Sequence, residues 1–265
     1  MNGPAVPPRA TARVLISAGE ASGDLYAALL MRAMAGAGGG DGRNRPVEFT
    51  GLGGPAMRSA GLRALGDASL LGVTGFLEVA VHLPDIWRAW RAACAALASP
   101  DDRPDLAILI DYPDFNLRLA RRARRAGVPV LYFVSPQVWA WRRGRVRDIK
   151  ATVDRMLVIL PFEEGFYRQE GVDATFVGHP LLDLARPERS RQQALGPLGL
   201  DPRRPTVALL PGSRRNEIRA HLAPMVGAAA ILREEFRDLQ FVLPVAPTLD
   251  AKGVGADAAA FAGPA

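Results

Sequence analysis

The string Asp111-Tyr112-Pro113-Asp114-Phe115-Asn116 directly follows a short, wholly apolar run at 106–110. A carboxylate leaving a buried strand is placed to take a proton as a general base, and burial raises its proton affinity towards the working range. Asp111 has that position. Asp114, just ahead of a helical pattern, has the position of a helix cap. A second acidic string, Gly19-Glu20-Ala21-Ser22-Gly23-Asp24, follows an apolar run at 14–17. Its glycines permit a tight turn and close approach of a ligand, and its amides open a helix whose positive end favours anions. Ser22 or Asp24 is equally suited to capping that helix, and the spacing is not that of GxGxxG.

A basic turn, Gly212-Ser213-Arg214, follows the run at 206–210, and Glu217 stands one turn further on. Amides, a hydroxyl and a guanidinium at a helix N-terminus suit a pyrophosphate. Glu217 reads either as an acceptor for ribose hydroxyls or as a complement to the helix dipole. The turn lacks the lysine and spacing of a P-loop. In the loop 135–142, Gln137, Trp139 and Trp141 are suited to stack on a sugar or an acyl chain, or to plug the edge of a domain.

These strings need elements to position them. Stretches at 14–17 and 47–50 and apolar runs at 106–110, 128–134, 156–160 and 175–177 read as strands. Helical spacing lies between them at 84–97, 116–126, 144–152 and 162–170. Strand alternating with helix predicts a parallel α/β sheet with right-handed crossovers. Ligands in such sheets gather at the carboxyl ends of the strands, where the three strings fall. After His179-Pro180 the composition shifts. Residues 13–184 are expected to form the first domain behind a loose 1–12, 185–204 a linker, and 205–265 the start of a second domain. That part has one strand–helix–strand before the end of the chain, read as structureless.

Composition bounds the chemistry. The 265 residues are 49% hydrophobic and 23% charged, which excludes disorder and a many-pass membrane protein. The single cysteine, Cys94, and three scattered histidines give neither a disulfide framework nor a metal cluster, so no metal or cofactor is expected. The net charge is +6, and all but two of the 33 basic residues are arginines, which suits a phosphate-bearing or acidic partner. No apolar run is long enough to span a bilayer, and the N-terminus lacks a signal peptide, so a cytoplasmic protein is expected. The stretch 70–83, with Leu71, Val73, Phe76 and Leu77, reads as core or, beside Arg88 and Arg91, as contact with an acidic membrane surface. The basic clusters lack the interleaved aromatics of a nucleic-acid surface.

Eight strings in order, SAGEASGD, GLGGPAM, LLGVTGFLEV, DYPDFN, VSPQVWAWR, LPFEEGFY, VGHP and LPGSRRNEI, resemble the lipid-A-disaccharide synthase family. The resemblance runs from Arg13 to about Val245. It implies an α/β fold of GT-B type, with two Rossmann-like domains. It also implies metal-independent, inverting transfer of 2,3-diacylglucosamine from UDP to lipid X at the inner membrane face. Asp111 matches the family's essential aspartate. Glu20, Ser22, Asp24, Asn116, Gln137 and Trp139 would line the acceptor side, and Gly212, Ser213, Arg214 and Glu217 the UDP side. Members of the family continue beyond the last residue of this chain, so the chain alone is expected neither to turn over nor to hold UDP tightly. The alternatives are another GT-B enzyme, such as a UDP-N-acetylglucosamine 2-epimerase, or a non-catalytic membrane- or sugar-nucleotide-binding module.

Overall fold

The structure, a computed structural model, describes residues 10–36, 45–67, 76–246 and 249–262. They fall into two compact units divided after Ala185.

The first unit alternates strand and helix: β1 (Ala12–Ala18), α1 (Ala21–Gly36), β2 (Val47–Gly53), α2 (Pro55–Ser59), β3 (Arg63–Asp67), α3 (Phe76–Ala98), β4 (Leu106–Ile110), α4 (Pro113–Arg125), β5 (Val130–Phe133), α5 (Arg145–Thr152), β6 (Arg155–Val158), α6 (Pro161–Gln169), β7 (Ala174–Phe176) and α7 (Leu181–Leu184). The strands form one parallel sheet in the order β3-β2-β1-β4-β5-β6-β7. The order reverses between β1 and β4, where Ala18 pairs with Ile110. A crevice opens at such a switch point, beyond the carboxyl ends of the two strands.

Alternation along each strand divides the core into two layers. Ile16, Ile108 and Ile110 face α1 and α2, against Tyr26, Ala27, Met31 and Met57. Leu15, Leu109, Val130 and Tyr132 face α3 to α6, against Ala93, Leu97, Phe115, Leu119, Ile149 and Tyr167. Because both faces are covered, a central strand such as β4 reads as a continuous apolar run.

The edges of elements depart from the expectation where proline acts. Pro129 has no N–H, and the Val128 amide closes the end of α4 on the Ala123 carbonyl, so β5 begins at Val130 rather than at 128. Pro161 is the first residue of α6, which makes Leu160 its N-cap and ends β6 at Val158. Pro84 lies inside α3, eight residues after its start, instead of opening it. Leu71 and Val73 lie outside the described residues, and the side chains of Phe76 and Leu77 do too.

The second unit contains α8 (Arg191–Leu195), a 3-10 turn (Gly196–Leu198), β8 (Thr206–Ala208), α9 (Arg215–Glu235), β9 (Gln240–Val242) and α10 (Ala251–Ala262). β8 and β9 pair in parallel. Arg191 donates to the carbonyls of Pro202 and Arg204 and to Thr206 Oγ1, tying α8 to the approach of β8. The stretch read as structureless forms α10. Asp250 accepts from the amides of Lys252 and Gly253, the bonds of an N-cap, and Val254 packs with Ile218, Leu222 and Val226 of α9.

Candidate active site

A cleft of about 410 Å³ opens at the carboxyl ends of β4 and β5, and Asp111, Gln137, Trp141, Arg145, Glu163 and His179 are among its lining residues. Asp111 is the first residue after β4, and its amide still donates to the Phe133 carbonyl at 3.0 Å. Asp111 and Tyr112 then both take left-handed backbone conformations, each with φ of 46°. Burial, first, and the negative charge of Glu20, second, raise the Asp111 carboxyl to about 6 against a pull downwards from the Tyr112 amide. A carboxylate poised there is mostly ionised at neutral pH and still basic enough to accept a proton. Glu20 reaches this neighbourhood because β1 and β4 are adjacent and end together. The turn after β1 needs Gly19, since a Cβ there would stand 2.4 Å from Cγ of the Tyr112 ring.

The other acceptor-side candidates divide. Gln137 is exposed and lines the cleft. Ser22 is exposed in the first turn of α1. Asp24 is 8% exposed, and its carboxylate accepts from the amides of Gly54 (2.8 Å), Ala56 (2.9 Å) and Met57 (3.1 Å). It therefore caps α2, with its carboxylate engaged by backbone amides, and a Cβ at Gly54 would strike it. Asn116 is wholly buried, accepting from Ser17 Oγ at 2.8 Å and donating to the carbonyls of Ile110 (3.1 Å) and Asp111 (2.9 Å). Its side chain braces the turn beneath the cleft. Trp139 is absent from the cleft lining: its ring packs edge-on against Phe162 at 4.8 Å and its Nε1 donates to Glu163 at 3.1 Å. Asp114 is not the N-cap of α4, a place held by Tyr112, and instead pairs with Arg145 and Arg142.

Reading the motifs singly missed Glu163. Its side chain is nearly inaccessible, with Oε1 accepting from Ser135 Oγ (3.2 Å) and Trp139 Nε1 and Oε2 accepting from the Leu160 amide (3.1 Å). Ser135 also bonds the Tyr167 hydroxyl at 2.9 Å, and burial pushes that hydroxyl up to about 12. This network anchors the loop after β5 to α6. The available signal was a capping glutamate three residues after Leu160 and two after Pro161. His179 borders the cleft with its ring fixed by the Leu181 amide, which donates to Nδ1 at 3.2 Å. Among the described residues no three His, Cys, Asp or Glu side chains cluster as a cation site.

In the second unit, the turn Gly212-Ser213-Arg214 precedes α9 as expected. Glu217 folds back on it: its Oε2 accepts from the amides of Ser213 (2.8 Å) and Arg214 (3.1 Å), and its Oε1 from the Arg214 guanidinium (2.9 Å). The bonds from the Ser213 amide and the Arg214 side chain hold the Glu217 carboxyl below its ordinary value. Gly212 has φ of 126°, and a Cβ there would stand 2.5 Å from Glu217.

The sequence is 50% identical over 238 residues to a lipid-A-disaccharide synthase of Geobacter sulfurreducens, covering 89% of this chain and 60% of that protein. A lipid-A-disaccharide synthase of Myxococcus xanthus is 48% identical over 238 residues, with 90% and 60% covered. The chain thus spans about 60% of the length of these curated relatives. In fold it is similar to a solved putative UDP-N-acetylglucosamine 2-epimerase from Listeria monocytogenes, with TM-score 0.61, 14% identity, and 96% of this chain and 67% of that one covered. It is also similar to a UDP-GlcNAc 2-epimerase from Neisseria meningitidis, with TM-score 0.57, 10% identity, and 94% and 69% covered. At such identities the likeness is one of fold, the GT-B type of α/β architecture. The family model for lipid-A-disaccharide synthetase matches residues 14–253, so the chain belongs to the lipid-A-disaccharide synthetase family.

Proposed function

We propose that the protein to which this chain corresponds is a lipid-A-disaccharide synthase, and that Asp111 is its general base. The acceptor, lipid X, offers its 6-hydroxyl. Asp111 takes the proton while the oxygen attacks the anomeric carbon of UDP-2,3-diacylglucosamine; the bond from that carbon to the diphosphate oxygen breaks, and UDP leaves with the electron pair. In-line attack inverts the anomeric centre and gives the β-1,6 disaccharide 1-phosphate. The observation that carries this reading is a half-buried carboxylate, raised to about 6, at the switch point of the sheet in a chain half identical to named synthases.

The second unit is the donor side in this reading. Developing charge on the leaving diphosphate calls for fixed donors, a role suited to the Arg214 guanidinium and the turn at Ser213. Glu217 presently accepts the two amides of that turn, so a diphosphate using them displaces it. Lipid-linked substrates place the reaction at a membrane surface, and Trp87, 58% exposed beneath the Arg91 guanidinium, supports a peripheral contact on α3. Among the described residues no helix is long and apolar enough to cross a membrane. The epimerase alternative rests on fold alone, at 10–14% identity.

The test is a disaccharide-synthase assay in mixed micelles with UDP-diacylglucosamine and lipid X, on this chain joined to the C-terminal segment of its relatives. Disaccharide formation that Asp111→Asn lowers at least about a hundredfold in kcat supports the assignment. Unchanged kcat in that variant, or conversion of UDP-N-acetylglucosamine to its manno epimer instead, sinks it.

A further inference from the structure

All four non-glycine residues with positive φ among those described, Asp111, Tyr112, Val134 (62°) and Arg142 (59°), lie in the two loops that build the cleft. Asp tolerates this region, but a β-branched valine and a tyrosine rarely enter it. Backbone in such conformations persists only where its surroundings over-determine it.

At Asp111 the restraint is visible. The Asp111 carbonyl accepts two buried donors, the Tyr132 hydroxyl at 2.5 Å and Asn116 Nδ2 at 2.9 Å. Both side chains are wholly buried, and Asn116 is itself held by Ser17 at 2.8 Å. Packing alone does not call for the hydroxyl of Tyr132, because a phenylalanine fills the same volume and leaves no polar atom to satisfy. Burial drives that hydroxyl far above its ordinary range, so it remains a donor at every working pH. Asn116 is the fourth residue of α4, one turn past its N-cap Tyr112, and its side-chain amide donates back to the carbonyls of Ile110 and Asp111 at the end of β4.

We propose that Tyr132 and Asn116 are positioning residues for the reaction: together they clamp the Asp111 carbonyl, lock the turn after β4 in its left-handed form, and so aim the Asp111 carboxylate into the cleft. The proposal rests on the reading of Asp111 as base. Without the clamp the 111–112 peptide relaxes to an ordinary conformation and the carboxylate turns towards solvent. The charged and titratable groups around it come from every neighbouring element: Glu20 from the turn after β1, Tyr112 and Asp114 from the start of α4, Tyr132 from β5, Arg142 from the loop after β5, Arg145 from α5, Glu163 from α6 and His179 from the stretch after β7.

The experiment is a carboxyl-carbon NMR titration of Asp111 in the 265-residue chain, with the signal assigned by its loss in Asp111→Asn. The wild-type midpoint is expected near 6. In Tyr132→Phe, and in Asn116→Ala, it falls by at least about one pH unit towards the ordinary carboxylate range, because the group has left its buried setting. In the active joined chain, Tyr132→Phe lowers kcat about tenfold or more with KM kept within about twofold, as a misaimed base does. An unmoved midpoint in a folded variant overturns the proposal. Loss of the fold in both variants overturns it as well, since the two residues then support the sheet and not one turn. The titration needs no turnover: a moved midpoint beside full activity of Asp111→Asn would overturn the functional reading instead.

Discussion

Asp111 is pulled in opposite directions by burial and Glu20 on one side and by the Tyr112 amide on the other, and the upward pull wins. A base must be ionised to act, so kcat/KM is expected to rise through about pH 6 and level off above it. Glu20→Gln removes a negative neighbour and moves that rise to lower pH, with kcat on the plateau retained. Loss of the plateau in Glu20→Gln would instead make Glu20 the base. The same shift has a cost in stability. The folded chain holds the Asp111 proton more tightly than the unfolded chain, so the ionised group is destabilising, fully above about pH 6 and not at all below 3.8. Asp111→Asn is therefore expected to stabilise the chain at pH 8 by about 1–2 kcal/mol, read by urea unfolding, with the gain gone at pH 3.5. Equal stability of the two proteins at pH 8 would refute the burial argument.

Among the elements, α2 shows how a short helix is fixed without much intrinsic propensity. Its five residues cannot hold a helix alone, and three of its opening amides end on the Asp24 carboxylate from α1. Asp24→Ala leaves those amides unpartnered and is expected to cost about 2–3 kcal/mol in unfolding free energy, without a change in the KM of the active enzyme. A raised KM with unchanged stability would return Asp24 to the substrate side. The Ser135–Glu163–Trp139 network does the corresponding work for the loop after β5, joining α6 to the wall of the cleft.

For the whole molecule, the decisive fact is coverage. Among the described residues the first unit has a seven-stranded sheet with both faces covered and the second has two paired strands, and the chain spans about 60% of the length of its relatives. The first unit carries the proposed base and the second the proposed diphosphate turn. The 265-residue chain by itself is expected to give no disaccharide and to bind UDP weakly by calorimetry, while the joined chain does both. Turnover by the chain alone would show that its two units suffice.

The class of sheet is legible in the sequence, because central parallel strands buried on both faces read as short apolar runs such as 106–110, and these alternate with stretches of helical spacing. The sequence also marks the carboxyl ends of the strands, since the residues that follow such runs stand there: Asp111 follows β4, and the turn at Ser213 lies between β8 and α9. Which partner each polar residue takes depends on the tertiary structure. Asp24 and Asn116 have the same residue types as ligand contacts, and their partners lie 30 and 99 residues away, at Gly54 and Ser17, beyond the reach of local pattern. Glu163 and Tyr132 became legible only when β4, β5 and α6 came together, because a buried hydrogen bond is defined by both of its ends. The short edge strand β3 and helix α10 escaped for the opposite reason: their local patterns are weak, and pairing with β2 and packing on α9 make up the difference.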